Sequence, residues 1–184
     1  MKYEFKTEPY AHQKTALKRS WNKREYGFFM EMGTGKSKVL IDTIGILYGK
    51  GAINAVVIIA PKGVYKNWST KEIPDHMPDH IDRHVAVWSP APRKKEKADL
   101  VKLFNLDEDK LKIFVVNVEA FSTPKGVKFT QNFILGHKVL LAVDESTTIK
   151  NPKAKRTKNI LQLADRAQYR RILTGSPVTK NPLD

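Results

Sequence analysis

Two short stretches carry the residue types that could do chemistry. Residues 33–37 read Gly-Thr-Gly-Lys-Ser, and residues 144–145 read Asp-Glu. Gly33 and Gly35 leave the backbone uncrowded, so that N–H groups ahead of a helix could face phosphate oxygens. Lys36 supplies a positive charge for the outer phosphates, and the Ser37 hydroxyl can ligate Mg²⁺. The general phosphate-loop pattern, G-x-x-x-x-G-K-[ST], asks for a further glycine where Met30 stands. Met30 closes an apolar run, and ordinary backbone angles there would need no glycine. Alone, this stretch could equally be a lysine opening a surface helix. Asp144 and Glu145 follow another apolar run, "VLLAVDEST". An aspartate so placed can hold Mg²⁺, and a glutamate beside it can orient and deprotonate an attacking water. A lone strand-end acidic pair is common; loop and pair together point to Mg²⁺-dependent ATP hydrolysis.

Those residues must be positioned by the elements that precede them. Six β-branched apolar runs recur: "GFFMEM" (27–32), "INAVVIIAP" (53–61), "HVAVWS" (84–89), "KIFVVNV" (112–118), "KVLLAVDES" (138–146) and "YRRILTGSP" (169–177). Most are apolar throughout, as expected of strands covered on both faces. Helices are expected over 12–22, 35–49, 63–73, 93–105 and 157–167. The alternation predicts an α/β domain, a mostly parallel sheet flanked by helices on both faces. Such sheets bind ligands beyond the carboxyl ends of their strands. There lie Gly33–Ser37, Pro61-Lys62, Asn117, Asp144-Glu145 and Thr174-Gly175-Ser176, a convergence that core packing does not require.

The chain has 184 residues, suited to one domain spanning 1–184, and a net charge of +14. That excess favours a polyanionic partner, nucleic acid before an anionic membrane. There is no cysteine, which excludes disulfides and thiolate zinc sites. No signal peptide or membrane span is evident, so an intracellular, soluble protein is expected, cytoplasmic if bacterial or viral. "IKNPKAKRTK" (149–158) reads as a basic loop at the ligand-binding end of the sheet, where Lys150, Lys153, Lys155 and Arg156 could contact nucleic-acid phosphate; the alternative is a solubilising surface. "RKKEK" (93–97) reads as the solvated start of a helix. His76, His80 and His84 recur every four residues, but Pro78 interrupts a common helix face and the stretch reads as a solvated loop, not a metal site. Trp68 and Trp88 read as packing residues.

At these motifs the sequence resembles the superfamily-2 helicase-like ATPases, and within them the Swi/Snf-type DNA translocases. "MGTGKS" is similar to their motif I, which also lacks the outermost glycine. "DESTTIKN" (144–151) matches the motif II form D-E-A-H-x-I-K-N in six of eight positions, with Ser146 and Thr147 replacing alanine and histidine. "LTGSPVTKNPLD" (173–184) resembles motif III and its tail, "IIAPKGVYKNW" (58–68) motif Ia, "VVNVEAF" (115–121) the segment before motif II, and "EPYAHQKTAL" the adenine-reading segment. The order is kept over essentially the whole chain.

The resemblance implies a RecA-like P-loop NTPase lobe that uses ATP and Mg²⁺. Nucleotide would be bound by His12, Gln13, Met32, Gly33, Thr34, Gly35, Lys36, Ser37 and Lys38, with Gln13 reading the adenine edge. Lys36, Asp144 and Glu145 would be catalytic, and Ser37 and Asp144 would hold Mg²⁺. Thr147, Thr174 and Ser176 would couple the nucleotide to nucleic acid, with Thr147 a departure that implies altered coupling. Lys62 and Asn117 join the basic loop as expected nucleic-acid contacts, double-stranded DNA foremost. Relatives hydrolyse ATP between two lobes, the second supplying an arginine. This chain stops after motif III, so it is expected to be the first lobe alone, binding ATP but turning it over slowly; Arg170 and Arg171, on an expected strand, are not taken as that arginine. The motifs leave open a translocase, a strand-separating helicase on DNA or RNA, and a passive nucleic-acid binder with a vestigial ATP site. A GTPase is disfavoured because no N-K-x-D segment occurs.

Overall fold

The apolar runs become strands with two faces to bury. A computed structural model describes residues 3–105 and 109–175. Its strands are β1 (Glu25–Phe29), β2 (Ala55–Ala60), β3 (Arg83–Val87), β4 (Leu111–Asn117), β5 (Val139–Asp144) and β6 (Tyr169–Thr174). They form one sheet in the order β1-β6-β5-β2-β4-β3, every pairing parallel. Alternate residues of β2 serve different cores: Val56, Ile58 and Ala60 pack on one face, and Ala55, Val57 and Ile59 on the other. That division explains why β2 reads as a continuous apolar run rather than an alternating one.

Helices α1 (Ala11–Ser20), α2 (Lys36–Gly49), α3 (Tyr65–Asn67) and α4 (Ile73–His76) contribute to the first core; α5 (Lys94–Lys102), α6 (Pro124–Leu135) and α7 (Lys155–Ala164) to the second. The expected α/β architecture therefore holds. Several boundaries differ. The run expected at 27–32 is a strand only over Glu25–Phe29, and Met30 to Met32 already belong to the turn. The basic stretch 149–158 is not wholly a loop, because Lys155, Arg156 and Lys158 lie in α7. Helix α6 is not among the expected helices, although Pro124 occupies its first turn and the Thr123 hydroxyl accepts from the Gly126 N–H at 3.2 Å, a recognisable start.

The helix expected at 63–73 is broken into three pieces. Between α3 and α4 lies a π-helical turn, Trp68–Glu72, where the Ile73 N–H bonds to the Trp68 carbonyl. Pro74 accounts for it. A proline ring crowds the carbonyl four residues back and offers no N–H, and widening the preceding turn relieves both problems.

Two buried groups anchor the ends of the fold. Arg171, 1% exposed, donates to the carbonyls of Ser20 (2.9 Å) and Arg170 (2.8 Å). Its charge meets the negative C-terminal end of α1 and ties that helix to β6. Burial lowers the guanidinium pKa to about 10. His137 donates from Nδ1 to the Phe133 carbonyl at 2.8 Å and packs against the Phe133 and Phe104 rings.

Burial, and secondarily the Lys112 charge, push the His137 pKa below its ordinary 6.5. The unfolded chain then binds the proton more readily. Stability should hold above pH 6.5, fall as the pH drops through that value, and level off below the folded pKa. Denaturant titrations between pH 7.5 and 5 should show this slope shrink in His137→Gln.

Candidate nucleotide site

The phosphate loop is built between β1 and α2. Met30 continues the β1–β6 ladder, its N–H donating to the Thr174 carbonyl at 3.3 Å. Glu145 is the only non-glycine residue with positive φ among those described, so Met30 turns with ordinary angles and the position asks for no glycine. Gly33 (φ 77°) and Gly35 (φ 83°) do take the left-handed conformation that favours glycine. Gly35 is also crowded: a Cβ there would lie 2.2 Å from Gln13 Nε2. The loop is closed by the Thr34 hydroxyl, which donates to the Glu31 carbonyl at 2.6 Å.

Lys36 opens α2 and folds back over the loop. Its ammonium donates to the carbonyls of Met30 (3.0 Å) and Glu31 (3.2 Å). An ammonium has three donors, so one remains for an anion above the loop. Lys38 behaves differently. Its side chain is buried, pairing with Asp42 at 3.0 Å, while the Tyr3 hydroxyl donates to the other Asp42 oxygen at 3.1 Å. Only its backbone N–H, in the first turn of α2, can contribute to phosphate binding.

Gln13, expected to read the adenine edge, turns its amide to the loop backbone. It is 4% exposed, and both ends of its amide are engaged. Oε1 accepts from the Tyr10 N–H at 2.9 Å, and Nε2 donates to the Thr34 carbonyl at 3.0 Å. His12 Nε2 meets the same carbonyl at 2.9 Å. The two side chains thus latch α1 to the loop. Beside the latch opens a cavity of about 380 Å³ lined by His12, Arg19, Tyr26, Met30, Glu31 and Thr34, among others. Gln13 does not line it.

Strand order brings the other motifs alongside. β6 lies between β1 and β5, and Gly175, just beyond β6, approaches the loop so closely that a Cβ would lie 3.0 Å from Met32 Cγ and 3.7 Å from Lys36 Nζ. Met32 itself is exposed, and Thr174 is 1% exposed. Ser176 lies outside the described residues. Asp144 ends β5 facing the first core, where the Trp68 indole N–H donates to its Oδ2 at 3.0 Å. Burial pushes the Asp144 pKa up. The Trp68 bond works against this, the Glu145 charge adds to it, and the Glu145 backbone and the Lys36 charge oppose it. Lys36 and Asp144 therefore sense each other electrostatically across β6. Glu145 adopts φ 50°, ψ 62°, left-handed geometry for a residue with a Cβ. Such outliers persist where surroundings over-determine them, often at functional sites. Thr147 sits half-buried in the 3₁₀ turn that follows, Ser146–Ile149.

Sequence reasoning takes Trp68 for packing alone and passes over Glu72. Burial raises the Glu72 pKa, while the Lys71 charge and the nearby Ser37 hydroxyl lower it. The "NWSTKE" stretch holds a signal, a polar-tipped aromatic followed by a carboxylate four residues later, but its partners are fixed only by the fold. Asp144 and Ser37 are oxygen donors suited to a hard cation such as Mg²⁺, which takes few protein ligands and completes its shell with phosphate and water. Among the described residues no group of three or more His, Cys, Asp or Glu gathers as a metal-holding cluster. His76 is not solvated loop: it is half-buried, 3.8 Å from Glu72.

The expected nucleic-acid residues divide. Lys62, Lys150, Lys153 and Lys155 are exposed and Arg156 half-buried, following the neighbouring strands β2 and β5. Asn117 is 7% exposed and its Oδ1 accepts from the Ala120 N–H at 3.1 Å, capping a 3₁₀ turn. That geometry gives it a structural task instead of an open surface.

A family model described as the SNF2-related domain matches residues 12–184. The chain belongs to this family. A search of curated proteins gave no match. Among solved structures, the Sulfolobus solfataricus SWI2/SNF2 ATPase core in complex with double-stranded DNA superposes with TM-score 0.70 at 20% identity, over 95% of this chain and 33% of that one. The UvsW helicase of bacteriophage T4 gives TM-score 0.64 at 16% identity, over 92% of this chain and 53% of that one. A second T4 UvsW structure gives 0.66 at 15%, over 92% and 30%. This SNF2-related domain thus has the fold of a RecA-like helicase lobe and spans about a third to a half of the chains it resembles. Among the described residues no helix is long and apolar enough to cross a membrane.

Glu145→Gly should relieve the left-handed strain, worth about 1 kcal/mol. The thermal midpoint should rise by about 2–4 °C, with Glu145→Ala giving no such gain. A midpoint that does not rise would show that Glu145 makes contacts outweighing its strain.

Proposed function

We propose that this chain is the ATP-binding motor lobe of a nucleic-acid-dependent ATPase, most consistent with a translocase on double-stranded DNA. The observation that supports this most is that adjacent parallel strands bring Lys36 and Asp144 to one rim of the sheet, where the ammonium's charge lowers the Asp144 pKa, with Glu145 next in sequence. Cationic loop, metal-type carboxylate and adjacent base are the parts that phosphoryl transfer to water requires.

In this reading the loop amides and Lys36 hold the triphosphate, and the cavity beside α1 receives the base. Ser37 and Asp144 would hold Mg²⁺, which would supply charge neutralisation at the outer phosphates. Glu145 accepts the proton of the attacking water. The exposed lysines beyond β2 and β5 meet the nucleic-acid backbone, in keeping with the net charge of +14. Motif III residues, including Ser176, relay between the two. A second RecA-like lobe completes the site, since an arginine supplied to such a transition state is worth on the order of 10³–10⁵ in rate.

Lys36→Ala should weaken ATP binding at least about tenfold, or 1.4 kcal/mol, by calorimetry, while leaving duplex binding and its salt dependence intact. The triple variant Lys62→Ala, Lys150→Ala, Lys153→Ala should do the reverse. Its plot of log affinity against log salt should flatten by about 0.9 for each phosphate that is no longer neutralised. ATP binding indifferent to Lys36 would refute the assignment. In the two-lobed protein, displacement of a triplex strand without duplex unwinding would mark a translocase; unwinding of a tailed duplex would mark a helicase instead.

A further inference from the structure

The π-helical turn Trp68–Glu72 touches a residue assigned to the cation. Trp68 is 2% exposed, in the first core, and its indole N–H reaches out of that core to Asp144 Oδ2 at 3.0 Å. The turn is fixed in place by its neighbours. Ile73 and Met77, 2% and 0% exposed, anchor the chain beyond it, and Lys6 donates to the Pro74 carbonyl at 2.7 Å and pairs with Asp79 at 2.8 Å.

The chemistry of that bond is that of orienting a ligand. A carboxylate free to rotate offers either oxygen to a cation. With Oδ2 occupied by an N–H donor, Asp144 presents Oδ1. Partners of this kind commonly change metal affinity by 10–100-fold when removed.

We propose that Trp68 is a positioning residue for the cation site, the turn it opens setting Asp144 Oδ1 toward Mg²⁺. The inference rests on the ATP-binding reading above.

The test uses ADP and ATP with and without Mg²⁺, measured by calorimetry on the whole chain. Trp68→Phe keeps the packing and removes the N–H. It should leave Mg²⁺-free nucleotide affinity within about twofold and weaken the Mg²⁺-dependent increment by about 10–100-fold. In protein labelled with 5-fluorotryptophan, the fluorine resonance absent from Trp68→Phe should move on adding Mg²⁺·ADP but not ADP alone. A Trp68→Phe variant with an unchanged Mg²⁺ increment, or a Trp68 resonance indifferent to Mg²⁺, overturns the proposal while the ATP reading stands. Equal weakening with and without Mg²⁺ means a merely structural role and also overturns it. Wild-type protein that binds no nucleotide overturns both.

Discussion

A carboxylate drawn into a protein interior resists ionisation unless its surroundings supply compensating charge or donors. Asp144 is placed under that constraint, and much of the site can be understood as its answer. Burial raises its pKa; an indole N–H, a backbone N–H and the Lys36 ammonium work in the other direction. None of these is local to the Asp144 segment except the backbone of Glu145. Trp68 comes from beyond β2 and Lys36 from beyond β1, so the balance exists only because parallel strands deliver all three chain segments to one rim. A cation arriving there would meet a carboxylate already oriented and already partly compensated.

The phosphate loop is held by a comparable division of labour. Helix α1 acts as a bar fixed at both ends. At its C-terminus the buried Arg171 binds the carbonyl of Ser20, and at its N-terminus His12 and Gln13 grip the Thr34 carbonyl. Gly35 is required twice over, by its left-handed backbone and by the closeness of the Gln13 amide. The loop's shape is therefore fixed without the missing outer glycine, since the constraint that glycine would serve is met by β1–β6 pairing through Met30. Gln13, engaged at both ends of its amide, serves this framework directly.

The strand and helix alternation was legible in the sequence because burial on both faces gives unbroken apolar runs, and each of the six runs became a strand. So were the left-handed glycines of the loop and the strand-end place of the acidic pair, which depend on residue type at fixed spacing. What escaped was what depends on distant partners. Trp68 looks like any buried aromatic until Asp144, 76 positions later, is placed opposite its N–H. Lys38 looks like part of the phosphate loop until its side chain is seen turning inward to Asp42, one helical turn along. Asn117 looks like a rim residue, and its amide is instead drawn back to cap the turn it introduces. Helix α6 escaped for a simpler reason: its start is written in Thr123 and Pro124, a capping signal rather than a periodic one.

Charge gives the site its direction of dependence. A nucleoside triphosphate with its metal still concentrates negative charge at the outer phosphate, and that charge shifts as the bond to it breaks. Within the described residues the ammonium nearest the loop is that of Lys36, already shared with two carbonyls. The arginines on β6 are committed elsewhere. Arg171 is buried against the end of α1, and Arg170 pairs with Glu25 at 2.8 Å and Asp165 at 3.1 Å. Freeing Arg171 would expose the C-terminal carbonyls of α1 and loosen the helix that holds the loop. The rigidity of this lobe thus engages both β6 guanidinium groups in its own framework. Under the motor reading, neither of them supplies charge at the outer phosphate.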